Sequence, residues 1–129
     1  MIDVRVQAAD FDPGRQLGRL EALGNAAVAS FVAIAECGEE GLLVEHFPAL
    51  AKNELAAIAA EADSRWPLAG LILIHRHGRF SAGDRLAFVA VAAPARAAAL
   101  EACAFLVEAL ATRAPFWRKA LPVDGAGGP

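Results

Sequence analysis

Between Pro48 and Trp66 the apolar residues Ala51, Leu55, Ile58, Ala62 and Trp66 follow one another at steps of four, three, four and four. The 3.6-residue period of an α-helix gives that spacing, with a single apolar stripe on one side. Such a helix must lay its stripe against another layer, so this stretch already demands a packed domain around it. Pro48 suits the first helical turn, and Trp66-Pro67 ends the helix, because a residue before proline avoids the helical region.

The flanking segments read as strands. Ile2, Val4 and Val6 alternate with polar residues, as a half-buried first strand does. Asp12-Pro13 offers an N-cap and an N1 proline for a short helix through Leu17, Leu20 and Leu23, which Gly24-Asn25 stops. Ala26 to Ala35 is almost wholly apolar and predicts a strand buried on both faces. Cys37-Gly38-Glu39-Glu40-Gly41 is a polar turn, and Leu42 to Phe47 then predicts a strand antiparallel to its predecessor. Leu71–His77 and Leu86–Ala93 are two more strands, joined by a loop. A second long helix runs from about Pro94 to Arg113, with Ala99, Cys103, Leu106 and Leu110 on one face. Pro115-Phe116-Trp117 predicts a last strand or a segment docked on the core. The order β-α-β-β-α-β-β-α-β is that of an α+β domain over residues 1–121, with a Gly-rich tail over 122–129.

Composition excludes several classes. With 129 residues, one domain is the expectation. Hydrophobic residues make up 57% and charged residues 21%, which a disordered chain does not reach. The net charge of −3 speaks against a general nucleic-acid binder. Cys37 and Cys103 have neither CxxC spacing nor a nearby histidine pair, so no zinc site or disulfide framework is indicated. No apolar run reaches membrane-spanning length, and the N-terminus carries no signal-peptide pattern; a cytoplasmic location is expected.

Periodicity names no chemistry, but ordered strings do. Glu45-His46-Phe47-Pro48, Trp66-Pro67-Leu68, His75-Arg76-His77-Gly78, Gly83-Asp84 and Ala114-Pro115-Phe116-Trp117-Arg118-Lys119 occur in this order. Together they resemble the large, catalytic subunit family of molybdopterin synthase, over roughly Val4 to Leu121. The resemblance implies an α/β-hammerhead fold and a homodimer within a heterotetramer. Each protomer receives a small ubiquitin-like sulfur-carrier subunit with a Gly-Gly thiocarboxylate end. It further implies transfer of two sulfurs to cyclic pyranopterin monophosphate, making the dithiolene of molybdopterin, with no metal or organic cofactor. Thiocarboxylate and phosphate are both anions, so a basic pocket is required.

The family's site positions carry over one by one. Phe31 matches the phenylalanine that opens the second-strand string, while Ala33 and Glu36 stand where that string has glycine and arginine. The family's His-Arg pair at the start of the last helix reads Ala95-Arg96 here, leaving Arg96 in a first turn that favours anions. The family's catalytic lysine falls on Ala111. Its later basic pair is Arg118-Lys119, and the glutamate that follows is Ala120. The resemblance thus makes Phe31, Arg96, Arg118 and Lys119 the binding residues and Lys119 and Arg118 the catalytic ones. Arginine can hold an anion in two-pronged fashion but does not give up its proton near neutrality. Apart from Lys119 the only lysine is Lys52, expected on the exposed face of its helix. An alternative reading is a non-catalytic paralogue that keeps fold and dimer but carries a degraded site at Glu36, Ala95, Ala111 and Ala120.

Other candidates are weaker. Alternation puts His75 and His77 on one strand face and Arg76 on the other, and a structural or dimer-contact role is expected of them rather than a metal site. Cys37 sits among Glu36, Glu39 and Glu40, which disfavour its thiolate. Cys103 falls on an apolar stripe, and Gly127-Gly128 is followed by Pro129, so it reads as tail.

Overall fold

The computed structural model describes residues 1–121. The tail expected over 122–129 lies outside the described residues. Among the described residues seven strands and three helices follow one another: β1 (Ile2–Gln7), α1 (Pro13–Glu21), β2 (Ala27–Ile34), β3 (Leu42–His46), α2 (Pro48–Arg65), β4 (Gly70–Arg76), β5 (Gly78–Phe80), β6 (Arg85–Ala93), α3 (Arg96–Arg113) and β7 (Phe116–Ala120). They build a mixed α+β domain with two sheets, one ordered β1-β4-β6-β2 and a smaller one ordered β5-β3-β7.

The larger sheet is a sandwich filling. Its central strands β4 and β6 are buried almost throughout, as strands covered on both faces must be. Leu71, Leu73, Val89 and Val91 face Ile58, Ala62, Ala102 and Leu106 of α2 and α3. Ile72, Ile74 and Phe88 face Leu20 of α1 and Phe11 on the other side. The stripe of α2 is as its spacing requires, with Ala51, Leu55, Ile58 and Ala62 all buried. Asp12 caps α1, its carboxylate accepting from the backbone N–H of Gly14 at 3.0 Å and Arg15 at 3.4 Å, and Pro13 opens the helix.

Three sequence expectations are corrected. Ala26 to Ala35 was expected to be buried on both faces, yet β2 is an edge strand, with Phe31 42% and Ile34 46% exposed. Alanine fills much of this run and is indifferent to burial, so the apolar count overstated how deep it lies. Nor does β3 pair with β2. β2 lies antiparallel to β6, and the Cys37–Gly41 turn carries the chain to the second sheet, where β3 runs between β5 and β7. Gly41 makes that turn with φ of 85°, and a side chain there would meet the Phe80 carbonyl oxygen at 2.9 Å. The loop expected between β4 and β6 also holds a short strand, β5, paired with β3.

Candidate functional site

The site lies where the two sheets meet the C-terminal end of α3. Along β7, Val44 pairs with Arg118 and His46 with Phe116, while Leu43 pairs with Lys119 and Glu45 with Trp117. Val44 is buried, so Phe116 and Arg118 share its inward face, and Trp117 and Lys119 turn outward. Inward of β7 is a cleft with two adjoining lobes. One, of about 390 Å³, is lined by Phe31, Glu36, His75, Leu110, Ala111 and Arg118, among others. The second, of about 400 Å³, shares His75, Leu110, Ala111 and Arg118 and adds Ala114 and Phe116.

Four of the positions assigned by resemblance, 31, 36, 111 and 118, therefore meet in one cleft. They come from β2, the turn after it, the last turn of α3, and β7. None of the ion pairs among the described residues includes Arg118 or Glu36, so the guanidinium is available to a ligand and the carboxylate is not neutralised. Ala111 offers only a methyl group.

The other assigned residues lie elsewhere. The resemblance placed Lys119 beside Arg118, but alternation along β7 puts it on the opposite face, where its ammonium meets Glu45 at 3.4 Å. Trp117 Nε1 donates to the same carboxylate at 3.1 Å. Arg96 opens α3 behind the Ala95 N-cap and is exposed. Fifteen residues of helix separate it from Ala111, about 22 Å along the axis, so one chain does not bring Arg96 to the cleft. Ala120 follows Arg118 by two residues on the inward face of β7. Lys52 is exposed and lines a separate hollow with Arg5, His46 and His77.

A column of rings forms one wall. His75 stacks on Phe116 with centroids 3.6 Å apart, Phe116 on His46 at 5.5 Å, and His46 on His77 at 4.1 Å. His77 lies beyond the end of β4, while Arg76 faces the other way and donates to the carbonyl oxygen of Ala8. His75 is buried, and its Nδ1–H donates to the carbonyl oxygen of Arg76 at 2.9 Å. Burial is the main reason its pKa falls to about 4; the hydrogen bond works in the opposite direction, and the charges of Arg118, His46 and His77 add to the lowering. The His77 pKa is lowered too, by burial and then by His46. The place of His75 in the cleft went unread in the sequence, although its inward register at the end of a buried strand is a usable signal. Among the described residues no group of three His, Cys, Asp or Glu side chains is placed to hold a metal ion. Cys37 is half-buried and packs against the cluster of Leu42, Val44 and Phe80.

The similarities to known proteins agree with this geometry. Residues 6–113 match the family described as MoaE protein. The molybdopterin synthase catalytic subunit of Pseudomonas aeruginosa is 44% identical over 129 residues, covering 95% of this chain and 86% of that protein. The molybdopterin biosynthesis MoaE protein of Burkholderia ambifaria superposes with a TM-score of 0.86 at 36% identity, over 92% of this chain and 82% of the other. At 20% identity, a chain in the complex of subunits 1 and 2 of the molybdopterin-converting factor of Helicobacter pylori shares the fold with a TM-score of 0.71, over 98% of this chain and 97% of that one. The chain belongs to the MoaE family, to which the catalytic subunits of molybdopterin synthase belong.

Proposed function

We propose that this chain is a sulfurtransferase of molybdenum cofactor biosynthesis, acting in the cytoplasm. It takes sulfur from the thiocarboxylated end of a small ubiquitin-like carrier and delivers it to cyclic pyranopterin monophosphate, giving molybdopterin. The observation that carries this reading is the convergence of Phe31, Glu36, Ala111 and Arg118 on one cleft. Those positions were assigned from separate stretches of sequence, and a chance resemblance would not bring them together.

Arg118 is the cation of the cleft and holds the anionic end of the thiocarboxylate or the phosphate in a two-pronged grip. Phe31, Val107 and Leu110 supply apolar lining beside Arg118, which strengthens its hold on an anion. Each carrier sulfur replaces an oxygen substituent on a side-chain carbon of the pterin, that oxygen leaving as water or staying with the phosphate as its ring opens. Water then cleaves the acyl–sulfur bond and the carrier leaves as an ordinary carboxylate, so each dithiolene consumes two carriers. Lys119, held by Glu45 on the outer face of β7, and Arg96, at the far end of α3, lie outside the part of the cleft that a single chain builds. The Helicobacter pylori complex of two subunits supports a small-subunit partner. A homodimer inside a heterotetramer is the assembly we propose, and the outer edge of β2, unpaired among the described residues, with exposed Phe31 and Ile34 is consistent with a protein contact there.

The test is single-turnover transfer: the chain, thiocarboxylated carrier and cyclic pyranopterin monophosphate are mixed and dithiolene formation is followed. Product above a no-protein control supports the reading. Carrier binding without product would favour the non-catalytic paralogue, for which Glu36 and Ala111 in the cleft are the specific observation.

A further inference from the structure

We propose that His75 is a specificity-determining residue of the cleft, its Nε2 accepting a hydrogen bond from a ring N–H of the pterin. This rests on the cleft being the pterin site, as proposed above. A carbonyl oxygen can only accept, so the contact of Nδ1 with the Arg76 carbonyl places the proton of the neutral ring on Nδ1. Nε2 is left with a lone pair. Phe116, flat against the imidazole with planes 10° apart, fixes the direction in which that lone pair points. Nε2 has no partner among the described residues, yet no fully buried side-chain nitrogen or oxygen there lacks one. The atom therefore opens onto the cleft that His75 lines in both lobes.

A fixed acceptor selects an N–H donor. The pterin is planar and carries several ring and amino N–H groups, and Phe31, Val32, Val107 and Leu110 give the cleft the apolar lining against which a flat ring packs. An extended peptide tail, with N–H groups spaced along a narrow backbone, fits such walls less well. The groups that face His75 are Arg118 from β7, His46 from β3, His77 beyond β4 and Glu36 beyond β2, while α3 contributes only Val107, Leu110 and Ala111. Burial holds the ring neutral at cellular pH, so the acceptor is present throughout the physiological range. The same low basicity makes His75 a poor proton acceptor, which favours recognition over general base catalysis.

The full chain is titrated with cyclic pyranopterin monophosphate alone and, separately, with the carrier, as wild type, His75→Phe and His75→Gln. Phenylalanine keeps a flat ring for the stack and removes the lone pair; glutamine restores an acceptor. A pterin N–H left unpaired in the cleft weakens pterin binding about 10- to 100-fold in His75→Phe. His75→Gln recovers part of that loss, and carrier affinity is unchanged in both. Unchanged pterin affinity in a folded His75→Phe overturns the proposal, as does equal loss of pterin and carrier affinity, the mark of a structural role. Wild-type pterin affinity provides a check that needs no variant: it is flat from pH 8 to about 5 and falls below that as Nε2 gains a proton. A midpoint between about pH 6 and 7 would contradict the assignment. Absence of any pterin binding by wild type would instead sink the reading of the cleft, and this inference with it.

Discussion

The imidazole of His75 and the ring of Phe116 lie face to face, 3.6 Å between centroids and 10° from parallel. One belongs to β4 of the larger sheet and the other to β7 of the smaller, so the contact joins the two sheets at the cleft. The stack lies on the inward face of β7, the face that also carries Arg118 two residues on. The first prediction follows. Phe116→Ala removes a half-buried ring and costs about 2 kcal/mol of stability, less than full burial would cost. Because β3 is the one strand paired with β7 among the described residues, sulfur transfer falls as Arg118 loses its place. Denaturant unfolding and turnover of the same sample check this; unchanged stability would mean that the stack ties nothing together.

Glu36 and Ala111 line the same lobe as Arg118. Glu36 sets a carboxylate where two anions must come together, and Ala111 offers no amine. The double change Glu36→Arg with Ala111→Lys is expected to raise the single-turnover rate at least about tenfold, equivalent to about 1.4 kcal/mol in the barrier. A rate that does not move would show that neither position limits transfer.

The lowered pKa of His75 has a stability consequence. Its folded pKa, about 4, lies below the ordinary 6.5, so the unfolded chain binds the proton first. The neutral ring's contribution is complete above about pH 6.5 and is lost as the pH falls toward about 4, on the order of 3 kcal/mol in all. Thermal unfolding of wild type and His75→Phe across that window isolates this component, since other acid-sensitive groups are common to both. Parallel pH profiles for the two proteins would contradict it.

How far the chain was legible depended on what each segment had to satisfy. α2 was plain because one stripe, Ala51 to Trp66, meets one layer. Asp12-Pro13 was equally plain because a cap acts locally. β2 and β3 were misjudged together: a run such as Ala26 to Ala35 reports apolarity but not which strand lies beside it, and pairing is a long-range property. In the site, positions 31, 36, 111 and 118 were assigned by resemblance along the chain, with no side-chain geometry. The side of the sheet taken by Lys119 could not be, because it depends on which β7 residue turns inward, and the pairing of Arg118 with buried Val44 and the stack of Phe116 on His75 settle that through contacts distant in sequence. Arg96 was placed correctly on its helix, yet the length of α3 sets it far from Ala111.

Arg118 and Lys119 are adjacent in sequence and opposite in space, one lining the cleft and the other bound to Glu45. The most direct measurement is therefore single-turnover sulfur transfer by wild type, Arg118→Ala and Lys119→Ala with thiocarboxylated carrier and cyclic pyranopterin monophosphate. Product is expected with wild type, with a loss of about 100-fold or more in Arg118→Ala and a change within about threefold in Lys119→Ala. Undiminished transfer in Arg118→Ala, or its loss in Lys119→Ala alone, would contradict the assignment of this cleft as the place where sulfur changes hands.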